Sequence, residues 1–196
     1  FIFASDTGPE FRRPWRGTAG PWTGTYHTAM EGGLRVPLIV RWPGRIQAGR
    51  ESDDIVHVTD LFTTIACSGG AKIPQDRPID GLNQLDWWTG ASEQSLREGF
   101  LFYIKNELRA VKWRHWKLHL VFESEPNEGT RHLETPWLFN IKRDPKEETD
   151  AAMEDGWVRG PMRKMILAFE NTLRQHKPIP PGLGDDHDPV AKVSSH

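Results

Sequence analysis

Asp6 follows the apolar run Phe1-Ile2-Phe3-Ala4 and sits within Ser5-Asp6-Thr7-Gly8-Pro9-Glu10. The run has the pattern of a buried strand. Gly8-Pro9 forces a turn at its end, where α/β sheets place their chemistry. A carboxylate there can serve a hard cation such as calcium, which wants several rigidly held oxygen ligands, or it can simply shape the turn. A second carboxylate opens Glu31-Gly32-Gly33-Leu34-Arg35-Val36-Pro37, just before the short apolar run Leu38-Ile39-Val40. Glu31 is expected to brace its turn rather than to transfer a proton. Between these anchors residues 11–30 read as one long loop, of the kind that is usually functional or disordered. Its Arg12, Arg13 and Arg16, beside Trp15 and Trp22, could form an anion-binding rim, because guanidinium groups chelate oxyanions and stack on indoles. The alternative is a solvated loop pinned by two tryptophans.

Other residues with chemical potential read more blandly. His57 has no Asp, Glu or His neighbour at metal-ligand spacing and is expected to pack. Cys67 is expected to be a small core residue. Lys112-Trp113-Arg114-His115-Trp116-Lys117 interleaves cations and aromatics, as a stacking surface for single-stranded nucleic acid or sugar would, but hairpin alternation alone produces the same pattern. Asp185-Asp186-His187-Asp188 could hold a metal loosely, or form a solvated acidic stretch.

The elements that must position these groups follow from periodicity. Ile55–Val58 reads as a short strand or extended lead. Thr59 and Asp60 are N-cap candidates for a helix burying Leu61, Phe62, Ile65 and Ala66, stopped at Gly69-Gly70. Residues 71–99 are loop-rich, with Trp87-Trp88 as an apolar anchor and a unit boundary nearby. Four strands are then expected: Phe100–Ile104, Leu108–Arg114, Lys117–Phe122 and Pro136–Ile141, with turns at Asn106-Glu107 and His115-Trp116. In the third, Leu118, Leu120 and Phe122 alternate with Lys117 and His119, predicting one apolar and one polar face. The sheet needs a cover. Met162, Met165, Ile166, Phe169 and Leu173 recur at helical steps after Gly160-Pro161, predicting an amphipathic helix that ends at Lys177-Pro178.

In order and spacing, the two anchors resemble the sulfatase family, within the alkaline-phosphatase-like superfamily. There a strand ending in Ser-Asp-Asn-Gly supplies calcium ligands, and Glu-Gly-Gly-x-Arg-x-Pro precedes the next strand. The likeness extends through Pro14-Trp15-Arg16-Gly17 to Trp22 and through Gly24-Thr25-Tyr26, which look like an arylsulfatase-type branch. It continues through Asp60-Leu61-Phe62-Thr63-Thr64, Ile79-Asp80-Gly81 and Asp144-Pro145-Lys146-Glu147, so it covers most of the chain. With the periodicities, the resemblance implies an α/β fold: the end of an alkaline-phosphatase-like mixed-sheet domain over 1–95, a small antiparallel sheet with a packed C-terminal helix over 96–178, and an irregular tail over 179–196. It implies that Asp6 and Thr7 are calcium ligands, Thr7 replacing the family's Asn with a shorter, less basic donor. Family members place a sulfate-holding Lys five residues before the Glu of Glu-Gly-Gly; Tyr26 stands there, with His27 beside it. His27 thus becomes the candidate catalytic group, donating to a sulfate or leaving-group oxygen, with Tyr26 and Arg16 as substrate-binding candidates.

The family's nucleophile is a Cys or Ser in Cys/Ser-x-Pro/Ala-x-Arg, converted to formylglycine. Cys67 is followed by Ser68-Gly69-Gly70 and does not fit. A chain opening inside a strand without Met is expected to be a piece of a longer polypeptide, with the formylglycine in its missing N-terminal part. Alone it should not turn over, and its lack of a targeting segment carries no information. The expected ligand is a sulfate ester, small or a sulfated glycan, and the resemblance suggests a periplasmic or secreted location. Rival readings are a phosphate or phosphonate ester hydrolase of the same superfamily and a non-catalytic sulfatase-derived binding module. A formal charge of −2 over 196 residues gives no global reason to expect nucleic acid. No apolar run reaches the roughly 18 residues that would mark a membrane span. The single Cys excludes an internal disulfide framework. An unpaired sheet edge is expected to favour self-association.

Overall fold

The computed structural model describes residues 1–10, 12, 17–126 and 129–177. Strand β1 (Ile2–Ala4) pairs antiparallel with β2 (Leu38–Val40), Ile2 opposite Val40 and Ala4 opposite Leu38. The two apolar runs around the loop are therefore partners, which closes the loop at its base. Its last residues form α1 (Glu31–Leu34), a single turn containing two glycines. Glycine is a poor helix former, and its presence here reflects close packing: a side chain on Gly32 would meet the carbonyl oxygen of Gly24 at 2.5 Å.

Helix α2 spans Val58–Ser68 and corrects the sequence reading in three respects. Ile55–Val58 makes no strand. The N-cap is His57, whose Nδ1 accepts from the Thr59 amide at 3.3 Å while the Asp60 carboxylate accepts from the His57 amide at 2.9 Å. This reciprocal arrangement places Asp60 at N3. The buried face is polar, made of Asp60, Thr63 and Thr64, whereas Phe62 and Ile65 are exposed and Cys67 is only half-buried. Asp60 anchors this face. It accepts from Arg97 Nε at 2.8 Å and Nη2 at 2.5 Å, and from the Leu82 amide at 2.8 Å. Burial pushes its pKa up, but the Arg97 and backbone hydrogen bonds win and hold it below the usual value. A side chain on Gly81 would lie 2.2 Å from the Thr59 carbonyl, so the Asp80-Gly81 turn is pressed onto α2. Helix α3 (Leu85–Thr89) follows and ends at Gly90, whose φ of 85° is left-handed.

The chain then builds a four-stranded antiparallel sheet in the order β3 (Gly99–Ile104), β4 (Glu107–Trp113), β5 (Trp116–Phe122), β6 (Arg131–Asn140). The hairpin turns fall one residue earlier than expected, at Lys105-Asn106 and Arg114-His115. Lys105 and Arg114 adopt left-handed φ values of 55° and 54°, as tight turns between twisted strands require. β6 begins before Pro136, which an edge strand tolerates. Val111, Leu118 and Leu138 lie in one cross-strand row. With Trp116, Val158 and Met162 they form a buried apolar cluster, against which Met165 and Ile166 pack. Met162, Met165 and Ile166 belong to α4 (Arg159–Gln175), which starts two residues before Pro161 after a 3-10 turn at Gly156–Val158. The expected cover is thus in place. The opposite face of the sheet is where sequence and structure part: Lys112, Lys117 and His119 are all buried. Among the described residues no helix is long and apolar enough to cross a membrane.

Candidate functional site

The two sequence anchors meet through their backbones. Gly8 donates to the Gly33 carbonyl at 3.1 Å, and Tyr26 donates to the Pro9 carbonyl at 3.1 Å. A side chain at Gly8 would stand 2.1 Å from the Gly32 carbonyl oxygen, so only glycine permits the approach. The Asp6-Thr7 turn, the Tyr26-His27 corner and the start of α1 therefore form one rigid block. Asp6 is exposed at its edge. The Thr7 hydroxyl donates to the Gly8 carbonyl at 3.1 Å. His27 is exposed with a φ of 66°, and its ring lies 4.3 Å from that of Tyr26, centroid to centroid. Among the described residues no hydrogen bond joins the side chains of Asp6 or Thr7 to those of Tyr26 or His27. Arg16, Arg13 and Trp15 of the expected anion rim lie outside the described residues, as does Asp185–Asp188.

Behind this block is a buried ionic centre. Glu31 Oε2 accepts from Arg35 Nε at 2.7 Å and from Lys112 Nζ at 2.6 Å, while Oε1 lies 3.3 Å from Lys117 Nζ. Lys117 also donates to Glu147 Oε1 at 3.3 Å, the same oxygen that accepts from the Glu31 amide at 2.7 Å. His119 Nε2 lies 2.5 Å from Glu147 Oε2. Glu31, Lys112, Lys117, His119 and Glu147 are each less than 5% exposed. Burial alone would neutralise such carboxylates, but the charges of Lys117 and Lys112 override it and hold Glu31 far below its usual range. Glu147 is lowered in the same way, chiefly by Lys117 and then by the His119 hydrogen bond. Lys112 is pushed down to about 8 by burial, against the pull of Glu31. Burial also lowers His119 in spite of its Glu147 contact, so a neutral ring donates from Nε2 to the carboxylate.

This centre ties the strand-end block to the sheet, because Glu31 comes from α1, Lys112 and Lys117 from β4 and β5, and Glu147 from the turn after β6. The alternation of Lys112 to Lys117 is that of a β hairpin, the blander of the two readings, and Lys112, Lys117 and His119 are buried in the centre. Glu31 braces its turn as expected. An open cleft of about 1390 Å³ runs alongside, bordered by Ser5, Thr7, Trp22, Glu31, Arg35 and Lys112. Arg35, stacked 4.5 Å over Trp22, brings a positive charge to the cleft beside the Asp6 turn.

Comparison with known proteins decides the family. Residues 1–70 match the sulfatase family model, and residues 95–187 match that of the C-terminal region of aryl-sulfatase. The chain belongs to the sulfatase family. Human arylsulfatase D is 32% identical over 173 residues, covering 74% of this chain and 29% of the relative. Mouse N-acetylgalactosamine-6-sulfatase is 35% identical over 152 residues, covering 67% and 29%. The crystal structure of the PsFucS1 sulfatase from Pseudoalteromonas sp. superposes with a TM-score of 0.82 at 27% identity, covering 91% of this chain and 38% of that one. The chain thus spans about a third of the length of the relatives it matches. It has the fold of the C-terminal portion of a sulfatase: the end of the alkaline-phosphatase-like domain, then a small antiparallel sheet with its packed helix.

The structure of this sulfatase segment permits a test of the metal assignment. Among the described residues nothing pairs with the Asp6 carboxylate, and Thr7 adds a hydroxyl, whereas a hard cation takes roughly six to eight oxygens. Among the described residues no group of three or more His, Cys, Asp or Glu side chains could hold a metal. Asp6 and Thr7 therefore fit as one edge of a ligand set and do not form a complete one. Sequence reasoning missed Lys112, Lys117, His119 and Glu147 as a unit. One available signal was Glu147 within Asp144-Pro145-Lys146-Glu147, a carboxylate carried in the family-like pattern with no partner assigned.

Proposed function

We propose that this chain supplies the C-terminal portion of a sulfuric ester hydrolase of the arylsulfatase type. The observation that carries the reading is the order of the two family matches along the chain, with the Asp6-Thr7 turn locked onto the Glu31-Gly32-Gly33 turn between β1 and β2. In this reading residues 1–95 belong to the catalytic domain and 96–178 to the appended sheet unit. Asp6 and Thr7 would contribute to holding a calcium ion, which when bound would supply positive charge to the sulfate oxygens. Tyr26 and Arg16 contact the sulfate group, and His27 donates a proton to the leaving-group oxygen. His27 is exposed, and among the described residues its imidazole makes no hydrogen bond and touches only the Tyr26 ring. The nucleophile is a formylglycine contributed from outside these residues. The substrate is a sulfate ester, and the likeness to N-acetylgalactosamine-6-sulfatase favours a sulfated sugar over a simple aryl ester. Phe1, Phe3 and Ile39 are exposed on the β1–β2 ribbon, an apolar strip through which the isolated chain would self-associate.

The test compares N-acetylgalactosamine 6-sulfate with N-acetylgalactosamine 6-phosphate as substrates of the complete polypeptide, with calcium and with chelator. Preferential, calcium-dependent sulfate release that falls at least about a hundredfold in His27→Ala supports the reading. A preference for phosphate points to the phosphate or phosphonate hydrolase, and no turnover with no calcium-dependent stabilisation points to a non-catalytic module.

A further inference from the structure

The end of the sheet where β4 turns into β5 carries a second constellation that the hydrolase reading does not use. Arg114 and His115 form the turn and are exposed. Trp116 pairs with Asn140 at the end of β6, and the Ile141 amide donates to the His115 carbonyl at 2.8 Å. This sets Lys142 and Arg143, both exposed, beside the hairpin tip. Among the described residues neither makes an ion pair, while Arg114 pairs with Glu98 at 2.5 Å. The local field is positive: His115 is held low first by its partial burial and then by the charges of Lys142, Lys112, Arg114 and Arg143. Aromatic surface adjoins these cations. The Trp157 ring is 64% exposed and stands edge-on to Trp113 at 6.3 Å. The Arg114 guanidinium lies 4.9 Å over Trp113, so the indoles and the basic groups form one continuous patch.

We propose that this sheet end is a non-catalytic attachment surface for a sulfated polysaccharide. Arginine and lysine recognise sulfate oxyanions, the former through a planar fork of donors, and an exposed indole offers a flat apolar face to the CH-rich face of a pyranose ring. Single-stranded nucleic acid fits less well. Binding it needs several rings on which successive bases stack, whereas here Trp157 alone is freely exposed, Trp113 is half-buried and Trp116 is buried. Attachment needs neither metal nor nucleophile, so the inference stands or falls independently of the hydrolase reading.

Affinity of the 196-residue chain for immobilised chondroitin sulfate, measured over a salt series against the chemically desulfated polymer, tests it without any turnover. Retention of the sulfated form alone, weakening as salt rises, is expected. The Lys142→Ala/Arg143→Ala pair should weaken binding about three- to tenfold, and Trp157→Ala about tenfold. All three positions are exposed, and thermal melts would verify that both variants remain folded. Charge reversal, Lys142→Glu/Arg143→Glu, should abolish retention. Equal binding of the desulfated polymer, unchanged affinity in the variants, or displacement by single-stranded DNA at lower concentrations than by chondroitin sulfate would each overturn the proposal.

Discussion

Asp6 and Glu31 are both carboxylates beside glycine-bearing turns, and those turns are hydrogen-bonded to each other, yet their surroundings are opposite. Asp6 stands exposed, between Ser5 and Thr7, which border the cleft. Glu31 is 2% exposed and held by Arg35, Lys112 and Lys117. A buried carboxylate clamped by three cations is closed to an incoming ligand from water and has no proton to give near neutral pH. One left open keeps its capacity to bind. The block therefore divides its labour: buried charge fixes the geometry, and exposed groups on the same rigid backbone are left for chemistry.

That division can be broken most severely at Glu31. Glu31→Ala leaves Lys112 and Lys117 with a buried charge deficit, and removing one partner of such a centre costs about 3–5 kcal/mol, to be read from chemical denaturation. Gly8→Ala attacks the contact between the turns instead, forcing a methyl group against the Gly32 carbonyl. Its expected cost is about 1–3 kcal/mol, with the melt displaced accordingly.

The buried side also predicts a pH response. His119 has a folded pKa below its ordinary 6.5, so as pH falls through that value the unfolded chain takes up a proton first and stability is lost. Glu31 and Glu147, both lowered from 4.5, add stability that is present above that pH and lost below it. Stability should thus decline in two stages on acidification, at a rate of up to about 1.4 kcal/mol per pH unit for each proton. His119→Gln should make the first stage shallower, the remainder belonging to His57 and His115, whose values are also lowered, and leave the second. Equal slopes from pH 7.5 to 5.5 in both proteins, followed by denaturant midpoint, would contradict a neutral buried ring.

The exposed side should hardly respond. Asp6→Ala is expected to change stability by less than about 0.5 kcal/mol. His27→Gly should stabilise by up to about 1 kcal/mol, because glycine removes the steric cost of a left-handed φ. A large loss at either position, seen in a calorimetric melt, would mean that these residues brace the block after all.

Much of this architecture was readable before any coordinates. The four strands β3–β6, with bounds that moved by a residue at the hairpins and by five at the start of β6, the α4 stripe of Met162, Met165 and Ile166, and the Gly8 turn were legible, because each depends on period or on one residue's sterics. Helix α2 was located but turned the wrong way. Its apolar residues Phe62 and Ile65 face out, since the inward face is occupied by the hydrogen-bonding requirements of Asp60, Thr63 and Thr64. Asp6, Thr7, Tyr26 and His27 could be named from the family-like spacing. Nothing in that spacing revealed that backbone hydrogen bonds from Gly8 to Gly33 and from Tyr26 to Pro9 join the segments that carry them.

By itself the sequence determined the order of motifs that assigns this chain to the sulfatases and the turns that only glycine can make, but not every face: the register shift after His119 sets Phe122 with His119, Trp137 and Phe139 rather than with Leu118 and Leu120. Tertiary structure alone decided what covers those faces. Alternation places Lys117 and His119 together on one side of β5, but period is silent about whether water or Glu31 and Glu147 lie opposite. Partners 30 and 81 residues apart, such as Lys117 with Glu147 and Lys112 with Glu31, are brought together only when the chain folds, and their charges are worth keeping buried only once they meet.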